Sequence, residues 1–215
     1  MHTPPVIRGA AAVRGGSLVF GLFLFALGIV LLLEARLGLS PWDVLNQGLA
    51  EQTPLTFGTA NIAIGLLVLV LCWRLGARIG IGTVANAVLI GAFIEGLVRI
   101  PALGDLSGAP LGARAALMLG GILVIGLGSA FYIGASLGAG PRDSLMLVLA
   151  RRTRVRIGVA RTALELAATG VGWALGGTVG IGTVAFAALV GPAVELAFAL
   201  LARSPLVVAE VPSPA

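Results

Sequence analysis

The sequence predicts an all-α polytopic membrane helix bundle of about six transmembrane helices. These form two inverted three-helix repeats, each with a short half-helix. Three observations predict this. Of 215 residues, 58% are apolar and only 11% charged, with a mean hydropathy of +1.07, whereas a soluble domain carries about 25% charged residues. Several runs of about 20 residues are almost free of charge, the length needed to cross a hydrocarbon core about 30 Å thick. The chain also repeats itself at an offset of 100 residues, so that Pro41 meets Pro141, Asp43 meets Asp143, Trp73 meets Trp173 and Glu95 meets Glu195. Between Leu37 and Leu97 about 25 of the 61 pairs are identical, more than shared apolar composition explains. Self-similarity at a fixed spacing marks a duplicated unit.

Residues 1–15 read as a cytoplasmic tail carrying Arg8 and Arg14. The apolar run after them resembles a signal sequence. It is longer than a usual signal core, however, and lacks a small-residue cleavage site, so an uncleaved first span is expected. The first repeat, 16–100, holds spans at roughly 16–35, 58–75 and 80–100. A linker, 101–113, leads to the second repeat, 114–202, with spans at roughly 114–136, 158–175 and 180–202. Residues 203–215 form a cytoplasmic tail, expected to be loose from Leu206 onward because it is short and contains Pro212 and Pro214.

An odd number of spans per unit turns the second copy upside down in the membrane. The Arg residues test this, the chain having no Lys. With both termini in the cytoplasm, Arg8, Arg14, Arg74, Arg78, Arg142, Arg151, Arg152, Arg154, Arg156, Arg161 and Arg203 lie inside, and Arg36, Arg99 and Arg114 outside. That bias satisfies the positive-inside rule. Matched loops also exchange charge: Glu51-Gln52 becomes Arg151-Arg152, while Arg74 and Arg78 become Ala174 and Thr178. If 41–52 and 141–152 also crossed, eight spans and parallel repeats would result. About 12 helical residues reach only about 18 Å, which disfavours that count. The inserts are expected to be re-entrant or interfacial half-helices.

Ser40-Pro41-Trp42-Asp43 has the grammar of a helix start, with Ser40 as cap, Pro41 as first helical residue and Asp43 facing back. The second copy keeps Pro141 and Asp143 but has Gly140 in place of Ser. On one reading Asp43 and Asp143 only cap and favour the positive helix ends. On the other, broken helices at repeat-related positions mark a transporter's binding site, and Asp43, Asn46, Gln47, Arg142 and Asp143 supply its polar groups.

Ionisable groups at membrane depth are functional candidates. Glu165 is one, or it forms a self-neutralising pair with Arg161, four residues earlier. Glu95 and Glu195 are proton-coupling carboxylates or interfacial groups snorkelling at helix ends. Asn86 is expected to bond a neighbouring helix, and the GIGT runs from Gly80 and Gly180, with Gly120, Gly121, Gly126, Gly128 and Gly134, to pack helices closely. Trp42, Trp73 and Trp173 are expected as interfacial anchors. The single Cys72 allows neither an internal disulfide nor a cysteine metal cluster and is expected to be buried or lipid-facing. The only His is His2, so no metal site, cofactor or catalytic triad is expected, and no enzyme. The high pI reflects topology determinants rather than nucleic-acid binding.

LSPWDVLNQGLA, AGPRDSLMLVLA and the paired GIGTV runs resemble the YczE/YitT-type family of small bacterial integral membrane proteins, over roughly residues 16–202. The resemblance implies a multi-pass protein of the bacterial plasma membrane, for which a transporter or exporter role is the expectation. The functional expectation is a secondary transporter or exporter of a small molecule, proton-coupled, with two three-span bundles rocking about a midplane site. The alternative is a non-transporting membrane scaffold for another complex. The expected partners are the lipid bilayer and a small-molecule substrate, with a homodimer in keeping with the small size.

Overall fold

The computed structural model describes residues 5–77, 79–100 and 108–207. They form eight helices: α1 (Ala11–Ala35), α2 (Pro41–Gln52), α3 (Phe57–Arg74), α4 (Ile81–Leu97), α5 (Leu111–Gly134), α6 (Pro141–Thr153), α7 (Ile157–Ala174) and α8 (Ile181–Ala202). His2, Arg78, linker residues 101–107 and tail residues 208–215 lie outside the described residues.

Four helices, α1, α3, α5 and α8, are long and apolar enough to cross a membrane. The apolar α4 has 17 residues, a rise of about 25 Å. Helix α7 has 18 residues but is the least apolar of the long helices and carries Arg161 and Glu165. Helix α1 starts at Ala11, so Arg14 lies within its first turns rather than in a tail.

Large apolar side chains cover the outside. Leu67, Trp73, Ile81, Leu166, Trp173 and Val184 are between 67% and 81% exposed, while glycine lies at the closest helix contacts. A soluble domain does the reverse, and lipid suits this surface.

Equivalent helices α1 and α5 pack antiparallel. The Arg14 Nε donates to the Ala135 carbonyl (2.8 Å) at one end, and the Arg114 Nε to the Ala35 carbonyl (2.9 Å) at the other. Between these ends Gly21 lies on Gly128 and Gly28 on Gly121; a Cβ at either Gly21 or Gly28 would sit 2.7 Å from the facing glycine carbonyl. The GIGT runs lock in the same reciprocal way. The Gly82 N–H donates to the Leu37-equivalent carbonyl of Leu137 (2.9 Å), and the Gly182 N–H to Leu37 (2.6 Å). Gly38 and Gly138 hold φ of 114° and 134° there, a region open to glycine at little cost. The close packing expected of Gly121, Gly126 and Gly128 is present, whereas Gly120 has no neighbour within 4 Å.

The exchanged loop charges have a local role too. The Gln52 Nε2 donates to the Leu175 carbonyl (3.0 Å), and Arg152, its partner in the repeat, donates to the Leu75 carbonyl through Nε (3.2 Å) and Nη2 (3.1 Å). Each closes the C-terminus of the long helix from the other half.

The two halves do not pack as separate bundles, contrary to the expected pair of three-span bodies. Helices α1, α4, α5 and α8 pack together, and α2, α3, α6 and α7 form a second group, joined to the first by α3 lying along α4, the most extensive contact of either helix. Their apolar cores are distinct, one around Leu22, Ile29, Ile94, Ile122 and Ile125, the other around Ile64, Val68, Cys72 and Leu145. The reason is pairing across the repeat: α1 buries its glycine face on α5, and α2 lays Gly48 against Gly172 of α7. Leu206 and Val207, expected in a loose tail, are also tied down. The Arg8 N–H donates to the Leu206 carbonyl (2.8 Å), and Ile7 bridges Val207 beside buried Ala130 and Leu201.

Candidate functional site

The N-termini of α2 and α6 converge on a cavity of about 480 Å³ between the two helix groups. Pro41 and Pro141 stand at the first helical positions, where their missing N–H leaves no bond unmade. Ser40 caps α2 by accepting from the Asp43 N–H (3.3 Å), and its hydroxyl donates to the Asp43 carboxylate, which also accepts from the Asn46 Nδ2 at 3.1 Å. Asp43 therefore serves its own helix. The second copy, with Gly140 in the cap position, draws its hydroxyl from outside: the Tyr132 Oη of α5 donates to the Asp143 Oδ2 (3.1 Å). One carboxylate is answered within its helix and the other across the two helix groups.

Arg142 lies 5.2 Å over the ring of Trp42, within the range of a cation–π contact, and within electrostatic reach of both Asp43 and Asp143. Trp42, expected as an interfacial anchor, lines the cavity at the second helical position of α2. Trp73 and Trp173 remain on the outside, at 67% and 69% exposure. Arg142 and Arg161, counted above with the loop arginines, both line the cavity.

Of the other candidates, Glu165 and Glu195 line the cavity. Glu165 accepts from the Arg161 Nε at 2.8 Å, the i,i+4 pair expected from their spacing. Three candidates do not line it. Asn46 is fully buried behind Asp43, Gln47 accepts from the Thr178 N–H at 2.7 Å, and Glu95 accepts from the Thr56 hydroxyl (2.6 Å) and Arg99 (3.2 Å).

The cavity has one closed and one open flank. On the closed flank α3 meets α4: a Cβ at Gly58 would lie 2.6 Å from the Gly91 carbonyl, one at Gly91 2.4 Å from the Gly58 carbonyl, and Thr56 bonds Glu95 across the seam. On the other flank stand the equivalent helices α7 and α8, with Gly158, Gly191 and Glu195 at the same positions. There neither glycine has a neighbour within 4 Å, and Arg156 replaces the seam-forming Thr56. Residues of both helices face the cavity across this gap.

Cys72 is fully buried, its Sγ 3.5 Å from the Pro141 carbonyl. A maleimide should label it at least about a hundredfold more slowly in folded protein than after unfolding, the protection given by about 2.7 kcal/mol of local opening. Equal rates would contradict the seat of α6 on α3.

A family model described as a family of unknown function, DUF6198, matches residues 13–198. The chain belongs to the DUF6198 family. It is 37% identical over 188 residues to an uncharacterized protein of Haemophilus influenzae, covering 87% of this chain and 84% of that protein. It is also 37% identical over 176 residues to the uncharacterized membrane protein YczE of Bacillus subtilis, covering 80% and 79%. The protein YyaS of the same organism is 28% identical over 171 residues. No solved structure matches. The YczE-type resemblance carried by the two Pro-x-Asp inserts and the GIGT runs thus extends over most of the chain, and this DUF6198 protein is membrane-embedded.

Three cavity residues of this DUF6198 chain escaped the sequence reading. Tyr132 and Ser129 of α5 sit in an apolar run with nothing to set them apart, and Asn61 lies near the start of α3. Asn61 is 4% exposed, lines the cavity, and its Nδ2 has no hydrogen-bond partner among the described residues. A signal was present for one of them: Asn61 pairs with Arg161 at the repeat offset, two polar residues at one position in two spans. Asn86, expected to bond a neighbouring helix, faces the same cavity beside Gly140.

Proposed function

We infer that the chain is a secondary transporter that exposes its cavity alternately to the two sides of the membrane. Six helices, α1, α3, α4, α5, α7 and α8, cross the bilayer in this reading, and the two halves form an inverted repeat with both termini in the cytoplasm. One observation carries it: the glycine pair that closes α3 on α4 recurs, unclosed, between α7 and α8. Inverted copies of one seam, one shut and one parted, are what a two-state carrier presents when caught in one state. The parted seam lies beside Arg154 and Arg156, the inside by the positive-inside rule, so the cavity faces the cytoplasm. In the opposite state α7 closes on α8 through Gly158 and Gly191, and α3 leaves α4. The moving bodies are then the group of α2, α3, α6 and α7 and the group of α1, α4, α5 and α8. Asp43 and Asp143 at the shared centre are the carboxylates for proton coupling.

The test is a pair of distances. In Cys72→Ala protein, spin labels go at Val159 and Leu196 on the open flank, and separately at the equivalent Thr59 and Gly96 on the closed one. Two populations are expected in each pair, with the long fraction of one matching the short fraction of the other. A single fixed population in both pairs, at neutral and acid pH and under a proton gradient, would leave a static scaffold.

A further inference from the structure

The cavity lining carries more negative than positive side chains. Asp43, Asp143, Glu165 and Glu195 face it, against Arg142 and Arg161. The Arg161–Glu165 pair neutralises itself at 2.8 Å. That leaves Arg142 against Asp43, Asp143 and Glu195.

Broken-helix N-termini usually favour anions, but here each one meets its own aspartate at the third helical position. The positive helix ends are therefore already answered. The guanidinium of Arg142 is engaged with the Trp42 ring and within electrostatic reach of both aspartates. An anion entering the cavity meets no unanswered cation at its centre. A cation gains the surplus carboxylates and the neighbouring rings of Phe25, Phe186 and Phe198, which also line it. A volume of about 480 Å³ falls in the range of small-molecule sites, about 300–1,000 Å³.

We propose that the cavity binds a small amphipathic organic cation, whose positive centre lies by Asp143 and Glu195 and whose apolar body lies against the aromatic and aliphatic lining. This rests on reading the cavity as the transport site, and it names the charge class of what that site takes.

The probe is a matched pair of ions, tetraphenylphosphonium and tetraphenylborate, equal in shape and opposite in charge. Trp73→Phe and Trp173→Phe, both on the outer surface, leave Trp42 as the only tryptophan and hence a reporter inside the cavity. In the full chain in detergent, the phosphonium should change Trp42 emission saturably and the borate should not. Asp143→Asn should weaken phosphonium binding at least about tenfold, the size of a charge-assisted contact worth about 1.4 kcal/mol. Glu195→Gln, at an exposed position that folding does not depend on, should weaken it severalfold. Tighter binding of the borate, equal binding unaffected by either variant, or no saturable change with either ion would each overturn the proposal. Phosphonium binding with immobile helix pairs would sink the transport reading and leave the cation site standing. Exchanging helix pairs with borate preferred would do the opposite.

Discussion

Gly191→Ala should fold normally and lock the protein in the state described here. A Cβ at Gly191 has no neighbour within 4 Å, whereas one at the equivalent Gly91 meets the Gly58 carbonyl at 2.4 Å and the Ile62 Cγ1 at 2.5 Å. Overpacking a helix contact costs about 1–3 kcal/mol. That cost falls on whichever state brings the substituted glycine against its partner. Gly191→Ala therefore penalises closure of α7 on α8, and Gly91→Ala penalises the closed α3–α4 seam. The first should deplete the α7–α8-closed population at least about tenfold, read as loss of the short Val159–Leu196 distance, with the yield of monodisperse protein unchanged. The second should enrich the same population. Equal and small effects from both would mean that the two seams never exchange.

Gly21→Val should have the larger effect on the amount of folded protein. Its added Cβ would meet the Tyr132 backbone nitrogen at 2.5 Å and the Gly128 carbonyl at 2.7 Å. Both are main-chain atoms that no rotamer change relieves. The only escape is to move α1 off α5, which strips the Arg14 and Arg114 bonds at the two ends and loosens the main apolar core. A loss of about 3 kcal/mol or more is expected, seen as aggregation on extraction and a midpoint shift in thermal unfolding. Gly15→Val, on the same helix but with no neighbour within 4 Å, is the matched control and should behave as the native chain. If Gly21→Val also unfolds at the native temperature, the glycine contact is not what holds these helices.

Periodicity, length and the constant offset were enough to place all eight helices. Each half-helix starts at its expected proline, because Pro at the first turn followed by Asp is a local signal that needs no tertiary context. The reciprocal glycine contacts were legible at the GIGT runs, where four residues recur intact. They were not legible at Gly21 and Gly28, which sit in an apolar run where glycine and alanine look alike. Half of the candidate site was readable for a similar reason: Asp43, Arg142 and Asp143 interrupt apolar sequence, and charge at membrane depth stands out. Tyr132 and Asn61 carry no charge, so only the fold shows them facing the cavity. The sequence pattern also could not show that the repeats interleave. Duplication predicts two like units, but which faces pair is decided by close packing between halves. The glycines do not separate the shut seam from the parted one, since Gly58, Gly91 and Glu95 are the same residues as Gly158, Gly191 and Glu195; what differs is Arg156 in place of the seam-forming Thr56.

The small clasp at the chain ends bears on which helix would travel in the proposed exchange. Ile7 donates its N–H to the Gly134 carbonyl, bridges Val207, and packs with Ala130, Ala197 and Leu201. It fastens the last turns of α8 to the end of α5, and Gly126 against Ala193 fastens them again half-way along. Helix α8 is therefore a fixed post, pinned at two heights. Helix α7 has no such pin on that side; it is hung from α2 and α6, and in the proposed exchange it is the leaf that would swing.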